Sequence, residues 1–115
     1  MAKVGRFVID PKAGSYCQIT LDSGEKLLVN HDKGGFKAGR VTIEQSKLMG
    51  FSSQQLFVCD LGSPEGQTAL AQLTRNAAPG SAEATPLGAF VAHVRTCATA
   101  ADVKAKCAAL ISGAT

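Results

Sequence analysis

The sequence is poor in charge. Asp, Glu, Lys and Arg make up 18% of its 115 residues, below the ~25% of an average soluble protein, while 45% are apolar. That balance excludes a disordered, self-repelling chain. Long apolar runs are missing as well. Nothing approaches the ~20 consecutive apolar residues that span a bilayer. The opening Met-Ala-Lys-Val-Gly-Arg is followed only by Phe7, Val8 and Ile9, short of the apolar core of a secretory signal. The expectation is a cytoplasmic protein with no membrane partner. Basic residues exceed acidic ones by only 12 to 9, a net charge of +3, and neither half has the dense Lys/Arg clustering of a strong nucleic-acid footprint.

Signatures of chemistry are equally scarce. Cys17, Cys59, Cys97 and Cys107 never fall into a C-x-x-C pair, so neither a zinc ribbon nor a thioredoxin-like motif is available. In a reducing compartment four such thiols behave as small buried apolar groups. Ser15, Ser46, Ser52 and Ser53 sit in no Gly-x-Ser-x-Gly elbow. No two carboxylates share an element at a spacing that suggests general acid–base work. This scarcity leans against an enzyme, and the sequence calls for no cofactor and no metal.

What is present is a compositional division. Five of the six aromatic residues precede position 60, and 15 of the 18 alanines lie at or after Ala69. Aromatic and β-branched residues favour strands and alanine favours helices. Strands first and helices afterwards describe an α+β protein, here read as one domain of residues 1–115. The expected architecture is an N-terminal five-stranded antiparallel sheet or small partly open barrel over 1–61. About three short C-terminal helices over 62–115 pack on it. Five such strands are also compatible, by topology alone, with OB-like or SH3-like barrels, an analogy that carries no function.

The strands are read at 4–10, 16–21, 26–30, 40–44 and 55–61. In the second, Cys17, Ile19 and Leu21 face one side and Tyr16, Gln18 and Thr20 the other. Asp22-Ser23-Gly24 fits a type I turn with glycine in the left-handed position. Val41 and Ile43 point inward from the fourth strand, and Leu56-Phe57-Val58-Cys59 reads as buried on both faces. Residues 45–50 are expected to form one helical turn. Ser63-Pro64 and Thr85-Pro86 each put a capping hydroxyl before a proline at the first helical position. The first helix then runs over 64–76 with Leu70 and Leu73 inward, followed by a flexible connection over 77–84. The second carries Leu87, Phe90, Val91 and Val94 on one stripe. Thr99 and Asp102 resemble a capping box at the start of the third, which turns Val103, Cys107 and Leu110 inward.

Three groups of residues are candidates for function. In His31-Asp32-Lys33-Gly34-Gly35-Phe36-Lys37-Ala38-Gly39-Arg40, the glycines let backbone amides converge on an anion while Lys33, Lys37 and Arg40 supply charge. Phe36 is placed to stack on a base. Lys33, Gly34, Gly35, Phe36, Lys37 and Arg40 therefore form the expected anion or nucleic-acid contact, although neither P-loop nor G-x-G-x-x-G spacing is present. The second group is His93 and Cys97, four apart on one face of the predicted second helix. Cys107 completes at most an incomplete zinc set, and a His–Cys pair is the weak candidate for an activated thiolate. The third, His31 beside Asp32, puts adjacent side chains on opposite faces of an extended chain, which does not make a dyad.

The resulting expectation is a non-enzymatic binding or accessory module whose partner is an anionic ligand or nucleic acid, met on the sheet face and the glycine-rich loop. The alternatives are a self-associating structural or adaptor protein and a small-molecule or thiol enzyme using His93 and Cys97.

Overall fold

The structure, a computed structural model, describes residues 3–10, 14–32, 39–47 and 52–112. Five strands come first: β1 (Lys3–Asp10), β2 (Gly14–Thr20), β3 (Lys26–Asp32), β4 (Arg40–Lys47) and β5 (Ser52–Asp60). Each pairs antiparallel with the next, so the sheet order is the chain order. β1 and β5 are the edges, and the sheet stays open instead of closing into a barrel. Three helices follow, α1 (Pro64–Thr74), α2 (Pro86–Arg95) and α3 (Ala100–Ser112). A 3-10 turn at Ala82–Ala84 lies against α2, within the 77–84 connection that the sequence predicts to be flexible.

Local chemistry explains most boundaries. Gly24 closes the β2–β3 turn at φ +89°, where a Cβ is strongly disfavoured, and donates its amide to the Leu21 carbonyl at 2.9 Å. Ser63 Oγ accepts the Gly66 amide at 3.1 Å, and Thr85 Oγ1 accepts that of Gly88 at 3.2 Å. Proline follows each cap, where its missing N–H costs nothing.

The sequence misplaces three strand features. β4 continues through Gln45, Ser46 and Lys47, which face Gln54, Ser53 and Ser52 of β5. A ladder partner outweighs the weak helical preference of that polar run, so residues 45–47 form no helical turn; 48–50 lie outside the described residues. β3 runs on to Asp32, with His31 opposite Ser15 and Val41, so both residues belong to the sheet and not to the loop. In β5 the pairing steps from Ile43↔Phe57 to Glu44↔Gln55. Leu56 is thus an extra residue in the strand, and this bulge resets the side-chain alternation. Leu56, Phe57 and Cys59 all reach the core, whereas Val58 stays half-buried on the opposite face. The run is not buried on both faces.

The core lies between one face of the sheet and the helices. Cys17, Ile19, Leu27, Val29, Val41, Ile43 and Cys59 meet the α2 stripe Leu87, Phe90, Val91 and Val94, all of it buried. Phe90 is fully buried, its ring centroid 6.0 Å from that of Phe57, within the range of a tilted aromatic pair. α1 contributes fully buried Ala69, while Leu70 and Leu73 pack at the margin. α3 contributes Val103 and Cys107, with Leu110 at the margin.

One polar link fastens the start of α3 to the sheet. Thr99 Oγ1 accepts the Asp102 amide at 3.2 Å, as the capping pattern predicts. A further acceptor comes from far away in sequence: Glu25 Oε1, on the β2–β3 turn, takes the Ala100 amide at 3.0 Å. The same carboxylate receives Ser23 Oγ at 2.7 Å and Gln45 Nε2 at 3.0 Å. The Ser23 amide in turn donates to the Ala98 carbonyl at 3.2 Å. An acid placed here both satisfies an orphan helix amide and complements the positive end of the helix dipole.

Candidate binding face and the buried thiols

Helices cover one face of the sheet. Register places Val8, Tyr16, Asn30, Thr42 and Val58 in a row across the other face, one from each strand. None of them joins the apolar core cluster. Tyr16, Asn30 and Val58 are half-buried, and Thr42 at the centre of the row is 3% exposed. The β3–β4 connection leaves the sheet beside this row, since the two strands pair as far as His31↔Val41. Of the expected anion contact, Lys33, Gly34, Gly35, Phe36 and Lys37 lie outside the described residues.

Arg40 is placed. It opens β4 opposite Asp60, its Nε 4.0 Å from Asp60 Oδ2, with both side chains nearly half exposed. A pair this exposed is worth little in stability, and it leaves the guanidinium able to turn to another anion. Neighbouring Gly39 takes φ +79° and its carbonyl accepts the Leu61 amide at 2.9 Å, fixing where the connection rejoins the sheet. His31 and Asp32 are consecutive in β3, with His31 half-buried opposite Ser15 and Val41.

The opposite end of the same face holds a cleft of about 270 Å³, lined in part by Gln18, Thr20, Lys26, Leu28 and Ser46. Lys26 begins β3 and Asp32 ends it, so at ~3.3 Å per residue the cleft and the glycine-rich connection are ~20 Å apart along the strand. They do not form one site.

The thiols belong to the interior. Cys17, Cys59, Cys97 and Cys107 are all buried and free. Burial pushes the Cys59 thiol up to about 11 and Cys107 up to about 12. Cys97 is also raised from 9.0 by burial, against a smaller lowering by Lys106. Nearby Cys97 and Cys59 raise Cys107 further. Thiolate is the reactive form, and it is scarce at neutral pH in all three.

α2 ends at Arg95, so Cys97 is not on the helix with His93. Its Sγ lies 3.8 Å from the His93 backbone carbonyl oxygen, which it meets as a donor. The His93 ring is half-buried, and its Nε2 is buried without a partner. Desolvation lowers its pKa below the ordinary 6.5. Among the described residues no three His, Cys, Asp or Glu side chains are grouped to hold a metal ion.

No protein-family model matches the chain, and neither curated proteins nor solved structures include a similar one. No described helix is long and apolar enough to cross a membrane.

Proposed function

We propose that the chain is a non-enzymatic binding or accessory module. Its partner carries an anionic group and meets the helix-free sheet face together with the β3–β4 connection. The observation that supports this reading is the one-sided packing of the helices. It leaves a row of side chains outside the core on one face, and the segment that follows β3 in the sequence concentrates positive charge in Lys33, Lys37 and Arg40. A single-stranded nucleic acid fits best, its phosphates drawn by the basic residues and a base stacked on Phe36 or Tyr16. The thiol-enzyme reading has less support, because Cys97 is 3% exposed and burial holds its thiol protonated.

The test is electrophoretic mobility of a single-stranded oligonucleotide with the purified chain at low salt. Binding is expected, weakening as salt rises, and the triple substitution Lys33→Ala, Lys37→Ala, Arg40→Ala abolishes it. Mobility unchanged at low salt, or a shift indifferent to the triple substitution, refutes the nucleic-acid form of the proposal.

A further inference from the structure

The edge of the sheet at β5 is built differently from the edge at β1. β1 carries Lys3, Arg6 and Asp10 in its sequence and an irregular step between Val4 and Phe7, devices that discourage another strand from pairing there. β5 has a single charge, Asp60 at its last position, and neither lysine nor proline. Leu61 donates to the Gly39 carbonyl. In an antiparallel ladder hydrogen-bonded pairs alternate, so Cys59 and Phe57 turn their backbone groups to β4. The amide and carbonyl of Val58 and the amide of Asp60 turn the other way, where no described strand follows. The Asp60 carbonyl is engaged by Ser63, whose amide and hydroxyl donate to it at 3.0 and 2.7 Å.

This edge borders a groove of about 550 Å³. Phe57, Val58 and Asp60 of β5 line it together with Ser63 and Glu65 at the start of α1 and Ala108 and Ile111 of α3. Ile111 is 37% exposed, one of two large apolar side chains described as exposed. The groove therefore combines outward-facing backbone groups, an apolar floor and acidic margins.

We infer that this groove receives an extended segment of another protein, added as a sixth strand beside β5, with apolar side chains on the Phe57–Ile111 floor and a lysine or arginine against Glu65 and Asp60. Charge decides between occupants. β5 contains no Lys or Arg, so a second copy pairing through its own β5 brings no cation in that strand to the carboxylates. A basic foreign strand does. The added strand gains affinity from main-chain hydrogen bonds and selectivity from alternate side chains, as in other cases of strand addition. Arg40 already lies 4.0 Å from Asp60, so Glu65 carries the larger share of the selectivity. Val58 ends the row on the face proposed above and Asp60 pairs with Arg40. The outward main-chain groups of β5 and Glu65 are nevertheless not the groups that would hold an anion, so either proposal can fail without the other.

The test uses heteronuclear NMR of the isotope-labelled full chain, titrated with a short synthetic peptide alternating valine and lysine. A matching valine–glutamate peptide serves as control. The lysine peptide is expected to shift the Val58 and Asp60 amides and to bind roughly tenfold more tightly than the glutamate peptide. Glu65→Lys should reverse that preference. Val58→Pro removes an outward amide and no bond to β4, and should weaken binding roughly tenfold. An amide spectrum that keeps its dispersion identifies a folded variant, and Glu65→Lys provides an independent test at an exposed position. Shifts centred on β1, equal affinity for both peptides, or absence of binding overturn the inference. So does a concentration-dependent dimer, seen by sedimentation, that Val58→Pro abolishes.

Discussion

Replacing Gly66 with alanine separates two opposed physical effects. Gly66 lies in the first turn of α1, buried where the helix crosses the end of β5. Helix propensity alone says that Gly66→Ala stabilises the chain by up to ~1 kcal/mol. The structure reverses the sign. A Cβ built on Gly66 lands on the Asp60 carbonyl oxygen, with the Asp60 carbonyl carbon and the Leu61 amide nitrogen close behind. All three are backbone atoms, so no rotamer change relieves the contact. A carbon needs about 3.3 Å from such an oxygen, so the start of α1 must lift off β5. That movement disturbs the Ser63 cap and loosens Ala69 against the core. Overpacking of this kind costs about 1–3 kcal/mol, occasionally more. With the propensity gain subtracted and the cap weakened, the net loss is ~2 kcal/mol. For a chain of this size that lowers Tm by roughly 8 °C. Urea unfolding followed by circular dichroism measures it directly. Gly62→Ala is the control: its Cβ would meet the Asp60 Oδ1 side-chain atom at 3.2 Å, which can rotate away. A Gly66→Ala variant as stable as the parent, or more stable, would refute the close approach of α1 to β5.

Further outcomes follow from the polar groups. Because His93 is held neutral, its folded pKa lies below the unfolded 6.5, and the unfolded chain binds the proton more readily. Its contribution is present above pH 6.5 and is lost as pH falls through the lowered value. His93→Leu should flatten this acid limb in denaturation curves measured from pH 7 to about 5, and an unchanged slope refutes the assignment. Glu25→Ala removes the acceptor shared by Ala100, Gln45 and Ser23. It should cost about 1–2 kcal/mol in chemical denaturation, with amide exchange rising first at the start of α3. A loss no larger than that at an exposed acid such as Glu83 contradicts the link. The buried thiols should resist iodoacetamide at pH 8 while the unfolded chain reacts at all four; rapid native labelling of Cys107 would contradict its pKa near 12.

The architecture was legible because its signals are local. Alternation in Cys17, Ile19 and Leu21, the Asp22-Ser23-Gly24 turn and the two hydroxyl–proline starts each act within a few residues. The same holds for the α2 stripe around Phe90. What escaped depends on distant partners. Polar 45–47 is a strand because Ser52–Gln54 pairs with it, and nothing in its own composition says so. The Leu56 bulge is a mismatch of two strands and leaves no periodic trace in either. Glu25 looks like an ordinary turn acid until the chain returns 75 residues later to present Ala100. His93 and Cys97 have helical spacing, but the helix stops between them at Arg95. Of the candidate anion contact, Arg40 is placed and its neighbour Asp60 explained. Residues 33–37 lie outside the described residues, and their role rests on composition.

The strict neighbour-to-neighbour order of the sheet bears on synthesis. Every strand finds its partner in the segment just before it, so the meander can zip as it emerges from the ribosome. Its greasy side nevertheless stays bare until Phe90 and Val94 have been translated. For roughly the interval needed to add 30 residues between Asp60 and Phe90, a nascent sheet would present Ile19, Val29 and Ile43 to solvent or to a chaperone. A translational pause placed inside that interval should therefore lower soluble yield more than one placed after Arg95.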